Sequence, residues 1–150
     1  MKDRSAKPAD MPWLTPYLTV RDAEKSLDFY HRAFGFEPGE ETLRDSNGVI
    51  QHAAMRYQGA FIMMAPETAW GCKSAAPVTS GTEIPIGLYL YCEDVDAFYA
   101  NAVAQGAESM EEPADMFWGD RICTLRDADG YVWSFATNVA DFDPSKIPEM

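Results

Sequence analysis

The 150-residue sequence has few of the residues that most often bind nucleic acid, bind metal or cross a membrane. It contains two histidines and three cysteines, and 12 Lys and Arg against 24 Asp and Glu, which gives a formal charge of −12. The shortage of basic residues argues against nucleic-acid binding, because phosphate recognition needs clustered Lys and Arg. The sequence has no apolar run of about 18 residues, so we expect no transmembrane helix.

The cysteines and the amino-terminal segment give no sign of an exported protein. Cys72, Cys92 and Cys123 are odd in number and widely separated, and they form neither a CxxC pair nor a zinc-binding spacing. The segment 1–11 is polar and lacks the apolar stretch of a signal peptide. Both observations favour a reducing compartment, so we expect a cytoplasmic protein.

The sequence does contain a regular succession of apolar stretches separated by turn residues. Its composition divides the chain into an amino-terminal arm (1–12), a first module (13–67), a linker or lid (68–85), a second module (86–139) and a carboxyl-terminal tail (140–150). The linker is rich in Ala, Ser, Thr, Gly and Pro. Because so long a loop is unusual within a compact domain, we interpret it as a module connection or a lid.

Each module carries one predicted helix and several predicted strands. Asp22 and Gly35 bracket an apolar stripe at helical spacing, and Asp94 and Gly106 bracket another, so both pairs predict a capped helix. Strands are predicted where apolar residues alternate or cluster between turn signals: 13–20, 36–45, 49–57, 60–65, 86–92, 107–112, 121–126 and 131–137.

The order of these signals repeats along the chain. Asp22 and Asp94 are 72 residues apart, and Gly35 and Gly106 are 71 residues apart. Caps and turns are common, so chance is one explanation; the other is a βαβββ unit that occurs twice. The duplicated unit predicts an α+β fold in which two βαβββ modules form a curved mixed sheet, with a concave pocket on one side and the helices on the outer face.

Four segments carry a family resemblance over residues 13–139: TPYLTVRDAEKSLDFYHRAFGF, LYLYCEDVDAFYANAVAQGA, FWGDR and DADGYVWSFAT. With these segments the sequence resembles the glyoxalase / bleomycin-resistance / dioxygenase superfamily, which has the vicinal oxygen chelate fold. FWGDR is similar to a subgroup of small bacterial glyoxalase-like proteins. The resemblance implies paired βαβββ modules and a homodimer, and it identifies a fold more strongly than a reaction.

The resemblance also implies a divalent metal, held by His, Glu or Gln on the first and last strands of each module. The matching positions in this sequence are Thr15, Met63, Gly87 and Ser134. Two of them offer neutral hydroxyl groups, one offers a soft thioether and the glycine offers no side chain, so none is a competent ligand. We therefore expect no metal at these positions and no cofactor.

Strand alternation indicates which other residues share the face of those four positions. Residues two apart point to the same side of a strand. This places a set rich in phenols toward the predicted pocket: Tyr17, Phe61, Met63, Tyr89 and Tyr91. We predict that these side chains contact a ligand; the alternative is that they fill the concavity themselves.

Three further residues are candidates for ligand contact. His52 and Arg56 share a face of one predicted strand, where they would hold an anionic group or, for His52, move a proton. The alternative for both is a polar strand face that meets water or a partner subunit. Trp118 is predicted to stack over a flat ligand, with a core or interface position as the alternative. Asp120 and its neighbour Arg121 are predicted to form a structural ion pair.

Two functions are consistent with these features. The first is a metal-independent protein that binds a small aromatic or cationic molecule in an aromatic-lined pocket and sequesters it. The alternative is a lyase or isomerase in which His52 or a tyrosine acts as the acid–base group without the usual metal. A module whose pocket is filled by its own side chains is a third interpretation. We expect binding rather than catalysis, with a small molecule and a second copy of the chain as the partners.

Overall fold

The computed structural model describes residues 3–150 as two compact units, each built around one β-sheet. The first unit comprises the chain up to His31 together with Gly35–Ala76, and the second comprises Arg32–Phe34 together with Pro77–Met150. The predicted α+β class is confirmed, because each sheet has one main helix after its first strand; the second unit has the order βαβββ, and the first has one more short strand. Within residues 3–150, no helix combines the length and the apolar character that crossing a bilayer requires.

The first sheet is mixed and has five strands. In chain order its elements are β1 (Tyr17–Val20), α1 (Ala23–Phe34), β2 (Glu37–Pro38), β3 (Leu43–Arg44), β4 (Ile50–Tyr57) and β5 (Ala60–Pro66). The strand order is β1-β5-β4-β2, and β3 also pairs with β4. β1 runs parallel to β5, whereas the other pairings are antiparallel.

The second sheet repeats this arrangement with four strands. Its elements are α2 (Pro77–Ser80), β6 (Leu88–Tyr91), α3 (Val95–Ala104), β7 (Glu108–Asp115), β8 (Asp120–Arg126) and β9 (Val132–Asn138). The strand order is β6-β9-β8-β7, with β6 parallel to β9 and the remaining pairs antiparallel. The parallel pair that joins the first and last strands of a module therefore occurs in both sheets.

The predicted helix caps are confirmed in both units. The side chain of Asp22 accepts a hydrogen bond from the backbone N–H of Lys25 at 3.1 Å, and Asp94 accepts one from Ala97 at 3.1 Å. Each bond satisfies an N–H group that the first helical turn leaves without a partner. Gly35 ends α1 with φ of +69°, a left-handed conformation that glycine adopts at little cost.

The apolar face of each sheet forms the core, as the strand alternation predicts. In the first unit Leu18, Val20, Ile62 and Met64 are all less than 5% exposed. The core of the second unit is aromatic: it contains Phe34, Phe98, Trp133 and Phe135, with ring centroids of Phe98 and Phe135 4.1 Å apart. Such pairs contribute about 0.5–1.5 kcal/mol beyond the burial of their area.

Two strand predictions are wrong in their bounds. The strand predicted at 13–20 begins only at Tyr17, because the preceding Pro16 has no N–H to donate to a sheet. The strand predicted at 36–45 is divided into β2 and β3, since Pro38 ends the first and the pairing of β3 with β4 is irregular. The segment predicted as a linker or lid contains α2 and a 3₁₀ turn at Ala69–Gly71.

The short helix α2 is attached to the turn between β8 and β9. The backbone N–H of Val78 donates to the carbonyl of Asp129 at 3.0 Å. Gly130, with φ of +96°, lies so close that a Cβ atom there would approach the backbone nitrogen of Val78 to 2.9 Å. Only glycine therefore fits between this turn and α2.

We expect Gly130→Ala to lower the free energy of unfolding by about 1–3 kcal/mol, because it combines a left-handed backbone with a close contact. The matched control is Gly48→Ala: Gly48 has φ of +80°, but a Cβ atom added there would have no neighbour within 4 Å. Urea titration of both variants measures the difference. If both variants lose the same free energy of unfolding, the close contact of Gly130 with α2 contributes nothing.

Candidate functional site

One face of the first sheet brings together five of the predicted site residues. Tyr17 pairs with Met63 across β1 and β5, and Arg56 pairs with Phe61 across β4 and β5. Paired residues share a face, and His52 lies four residues before Arg56 on the same strand. The side chains of Tyr17, Phe61, Met63, His52 and Arg56 thus project from the same side of the first sheet.

Tyr17 and His52 are directly connected on this face. The phenol oxygen of Tyr17 lies 2.8 Å from Nδ1 of His52, and the ring centroids are 5.6 Å apart. Burial, and to a lesser degree the neighbouring Cys72 thiol, raises the pKa of Tyr17, so the phenol keeps its proton at neutral pH. The hydrogen bond occupies Nδ1 and leaves Nε2 of His52 to interact with another group.

A cavity of about 660 Å³ adjoins His52 in the same unit. Its other walls are formed by the segment before and at β3 and by one tryptophan: Glu40, Glu41, Thr42, Leu43 and Trp70. The indole N–H of Trp70 donates to the carbonyl of Gln51 at 3.0 Å, which holds the ring against β4. His52 therefore borders a cavity whose walls include two glutamates and one tryptophan.

Arg56 and Phe61 behave as a pair. The guanidinium of Arg56 lies over the Phe61 ring, 4.7 Å from its centroid, and a second contact at 3.7 Å joins it to the carboxylate of Asp10. Phe61 is only 4% exposed. The Phe61 ring thus lies beneath the guanidinium, and the solvent-exposed surface here belongs to Arg56.

In the second unit, one carboxylate organises the predicted site. The carboxylate oxygen Oδ2 of Asp120 accepts hydrogen bonds from the phenols of Tyr89 and Tyr91, both at 2.8 Å, and from the indole N–H of Trp118 at 3.2 Å. Its other oxygen, Oδ1, accepts from the side-chain amide of Asn138 at 3.0 Å. Asp120 is 3% exposed, so four donors hold a buried acid.

These contacts keep the acid ionised and the phenols protonated. Burial by itself raises the pKa of Asp120, but the hydrogen bonds from Asn138, Tyr89, Tyr91 and Trp118 outweigh it and hold the pKa below its ordinary value. Burial and the nearby carboxylate raise the pKa of Tyr89 to about 12. The hydrogen bond to Asp120 likewise raises the pKa of Tyr91.

The rings around Asp120 form a surface that we call the aromatic platform, defined as Tyr89, Tyr91, Phe117 and Trp118. Each ring is between 36% and 56% exposed, although the acid below them is buried. Tyr89 and Tyr91 meet edge to face with centroids 5.7 Å apart, and Phe117 and Trp118 do so at 5.0 Å. The platform therefore offers π-faces and phenol oxygens to solvent.

The ion pair predicted between Asp120 and Arg121 is wrong. Arg121 binds Asp96 with two hydrogen bonds of 2.9 and 3.0 Å and Asp115 with one of 3.1 Å. Successive residues on a strand point to opposite faces, so Asp120 and Arg121 are separated by β8 itself. Asp120 is a site residue that the sequence did not predict, although strand alternation places it on the face of Ile122, which pairs through β9 with Tyr91.

Comparison with known proteins identifies the family. Residues 11–135 match the sequence profile described as Glyoxalase/Bleomycin resistance protein/Dioxygenase superfamily. The chain belongs to this superfamily. It is 33% identical over 143 residues to an uncharacterized protein of Mycobacterium bovis, covering 91% of this chain and 90% of that one. An uncharacterized protein of Mycobacterium tuberculosis is also 33% identical, with 91% and 80% covered.

Solved structures show the same superfamily fold. The crystal structure of TioX from Micromonospora sp. ML1 is 25% identical, superposes with a TM-score of 0.67, and is matched over 86% of this chain and 100% of that one. A glyoxalase/bleomycin resistance protein/dioxygenase family enzyme from Burkholderia phytofirmans gives a TM-score of 0.68 at 19% identity, with 83% and 97% covered.

The four positions that match the superfamily's metal ligands do not suit a divalent metal here. Met63 lies opposite Tyr17 and Ser134 lies opposite Tyr89, while Thr15 and Gly87 precede the strands β1 and β6. A thioether and two neutral hydroxyls are poor ligands for Mg²⁺, Mn²⁺ or Zn²⁺, and glycine has no donor. Across residues 3–150, no three His, Cys, Asp or Glu side chains gather in a group suited to a metal.

We expect Asp120→Asn to lower the free energy of unfolding at pH 7 by about 1–3 kcal/mol, because an amide cannot accept all four hydrogen bonds. The pKa of Asp120 is lower in the folded state, so the ionised acid stabilises the fold above the unfolded pKa of about 4. This contribution is lost as the pH falls through the folded pKa.

The measurement is urea unfolding of both proteins between pH 7 and pH 2, with Asp3→Asn as the control because Asp3 is exposed. The difference in the free energy of unfolding between wild type and Asp120→Asn should become smaller as the pH falls below about 4. A difference in the free energy of unfolding that stays constant over this range would contradict the stabilising role assigned to the ionised Asp120.

Proposed function

We propose that this superfamily member binds a small aromatic or cationic molecule on the aromatic platform, without a metal, and thereby sequesters it. The observation that carries the proposal is the buried Asp120 carboxylate, which holds three accessible rings in place. Rings that are already fixed lose little conformational entropy when a ligand binds, and this favours affinity.

The hydrogen-bond directions support a ligand that carries donors. Both phenol hydrogens, from Tyr89 and Tyr91, point to the same oxygen of Asp120. The oxygen of Tyr91 therefore presents lone pairs to the ligand, while that of Tyr89 also accepts a long contact of 3.4 Å from the indole N–H of Trp118. The π-faces of the rings are electron-rich, and a buried negative charge lies beneath them, so a flat cation with N–H groups complements the surface.

The overall charge supports the same ligand class. The sequence carries a formal charge of −12, which raises the local concentration of cations and speeds their approach. The residues that we place in contact with this ligand are the platform residues Tyr89, Tyr91 and Trp118.

The protein is proposed to work as a homodimer in the cytoplasm. The superfamily resemblance implies paired copies, and a twofold arrangement is the commonest assembly of identical chains. Cys72, Cys92 and Cys123 are all free thiols, which suits a reducing compartment. Sedimentation equilibrium of the purified chain tests the dimer; a monomer at micromolar concentration would contradict it.

Binding is tested by calorimetry against a panel of flat cations, each matched with a neutral molecule of the same shape. We expect the cations to bind, and Trp118→Leu to weaken them by about three- to thirtyfold through lost stacking and cation–π energy. Trp13→Leu is the control, because Trp13 is a tryptophan of the other unit that is 82% exposed. Absence of binding across the panel, or equal effects of the two variants, would contradict the proposal.

A second candidate function is proton transfer by His52, as in a lyase or isomerase that acts next to a carbonyl group. The observation that favours it is the 2.8 Å contact between Tyr17 and Nδ1 of His52, beside a cavity of about 660 Å³. With Nδ1 oriented by the phenol, Nε2 remains available to donate or accept a proton.

This alternative predicts exchange of carbon-bound protons next to a carbonyl. Wild-type protein and His52→Ala are incubated in D₂O with a panel of 2-oxo compounds, and deuterium incorporation is followed by NMR. We expect wild type to accelerate exchange and His52→Ala to lose at least about tenfold of that rate. His31→Ala is the control, since His31 lies on α1 and hydrogen-bonds the Phe36 carbonyl. Undiminished exchange in His52→Ala would exclude His52 as the group.

A further inference from the structure

A second cavity of about 510 Å³ lies within the second unit, away from the residues of the aromatic platform. Its walls are the segment from α2 to β6, the bulged part of β7 and the ends of β8 and β9 next to their shared turn. Most of its lining is apolar: Pro77, Val78, Ile84, Pro85, Ile86, Leu88, Met110 and Val132. Its size falls within the range of ordinary small-molecule sites.

One cation lines this apolar cavity. Arg126, the last residue of β8, has a side chain that is 29% exposed. Its guanidinium lies 3.8 Å from the carboxylate of Glu83 and 3.6 Å from that of Glu108. These are loose ion pairs, and the guanidinium makes no hydrogen bond with any residue in the described part of the chain. A ligand carboxylate that approaches more closely than Glu83 and Glu108 would therefore gain the hydrogen bonds that these two residues do not make.

Arg126 and the acid beneath the platform lie at opposite ends of β8, although the platform residue Tyr89 directly follows Leu88 of the cavity wall. Asp120 and Arg126 are the first and last residues of β8, which places them about 20 Å apart along the strand. The two places also have opposite character, because the platform surrounds a buried acid and the cavity carries a base held only by two loose ion pairs. A ligand suited to one is therefore unsuited to the other.

The wall formed by α2 is held in position before any ligand binds. The hydrogen bond from Val78 to Asp129 and the close approach of Gly130 attach α2 to the turn that follows Arg126. A cavity with a fixed wall does not collapse when empty, and binding then requires little ordering of the chain.

We propose that this cavity binds a small organic carboxylate with an apolar body. The carboxylate accepts two parallel hydrogen bonds from the guanidinium of Arg126, the geometry for which arginine is best suited. The apolar body lies against Ile84, Ile86 and Met110, which are between 41% and 69% exposed and would be covered by it. This site is independent of the proposed function on the platform.

Two carboxylates, those of Glu83 and Glu108, already face the guanidinium that the ligand would bind, and Glu83 is the more exposed of the two. Glu83 belongs to the segment between α2 and β6, and its side chain is 94% exposed, so its 3.8 Å contact with Arg126 is easily displaced. An incoming carboxylate with an apolar body displaces it, because burial of the body adds free energy that Glu83 cannot supply. Glu83 is thus an internal competitor, and its removal should strengthen binding.

The test uses hexanoate and benzoate as probes, with hexanamide and benzamide as uncharged analogues and hexylamine as the cation. Binding is measured by calorimetry and by ¹H–¹⁵N NMR shifts on the full-length chain at low ionic strength. We expect the carboxylates to bind and to shift residues around Arg126, while the amides bind at least about tenfold more weakly.

Two substitutions should change affinity in opposite directions. Arg126→Gln should weaken carboxylate binding at least about tenfold, whereas Glu83→Gln should strengthen it about two- to fivefold, the range of an exposed ion pair. Glu93→Gln is the control for Glu83, because it removes the same charge from an exposed residue outside the cavity. The NMR spectrum of each variant shows whether it is folded.

The proposal is overturned if neither carboxylate binds at millimolar concentration, or if the amides or hexylamine bind as tightly as the carboxylates. It is also overturned if Arg126→Gln binds normally while folded, or if Glu83→Gln has no more effect than Glu93→Gln. None of these outcomes bears on the platform, because the platform variant Trp118→Leu should leave carboxylate binding unchanged.

Discussion

The burial of one negative charge is the constraint on which the second unit depends. An unpaired carboxylate in the interior would be strongly destabilising, so Asp120 must find donors, and it finds them in Tyr89, Tyr91, Trp118 and Asn138. Because three of these donors are tips of large rings, satisfying the acid also fixes the rings. The hydrogen bonds that allow Asp120 to be buried are therefore the same ones that fix the geometry of the site.

The two ends of strand β8 carry side chains of opposite charge. Asp120 begins the strand with a fully hydrogen-bonded negative charge, and Arg126 ends it with a positive charge held only by two loose ion pairs. Of the four positions that match the superfamily's metal ligands, Gly87 lines the cavity and Ser134 pairs with Tyr89, but neither offers a metal ligand. Recognition in this member is therefore best described through phenols, an indole and a guanidinium.

The sequence was sufficient to predict the architecture because the signals for it are local. Asp22 and Asp94 cap helices through bonds to residues three positions away, and the alternation around Leu18 and Trp133 identifies the core side of each sheet. The site was only partly predictable. Tyr89 and Tyr91 follow from alternation, but their hydrogen bonds to Asp120 span 31 and 29 residues and depend on strand register. The role of Arg126 depends on a wall formed by a separate segment, which no local pattern reveals.

The convergence of two phenols on a single oxygen of Asp120 has an evolutionary consequence. Asparagine is one nucleotide change away from aspartate, and its amide nitrogen would donate where the carboxylate now accepts. Both phenol hydrogens would then turn outward, and a surface that accepts hydrogen bonds would begin to offer them. The same amide nitrogen would also face the indole N–H of Trp118, another donor, so such a reversal of ligand polarity would carry a cost in stability.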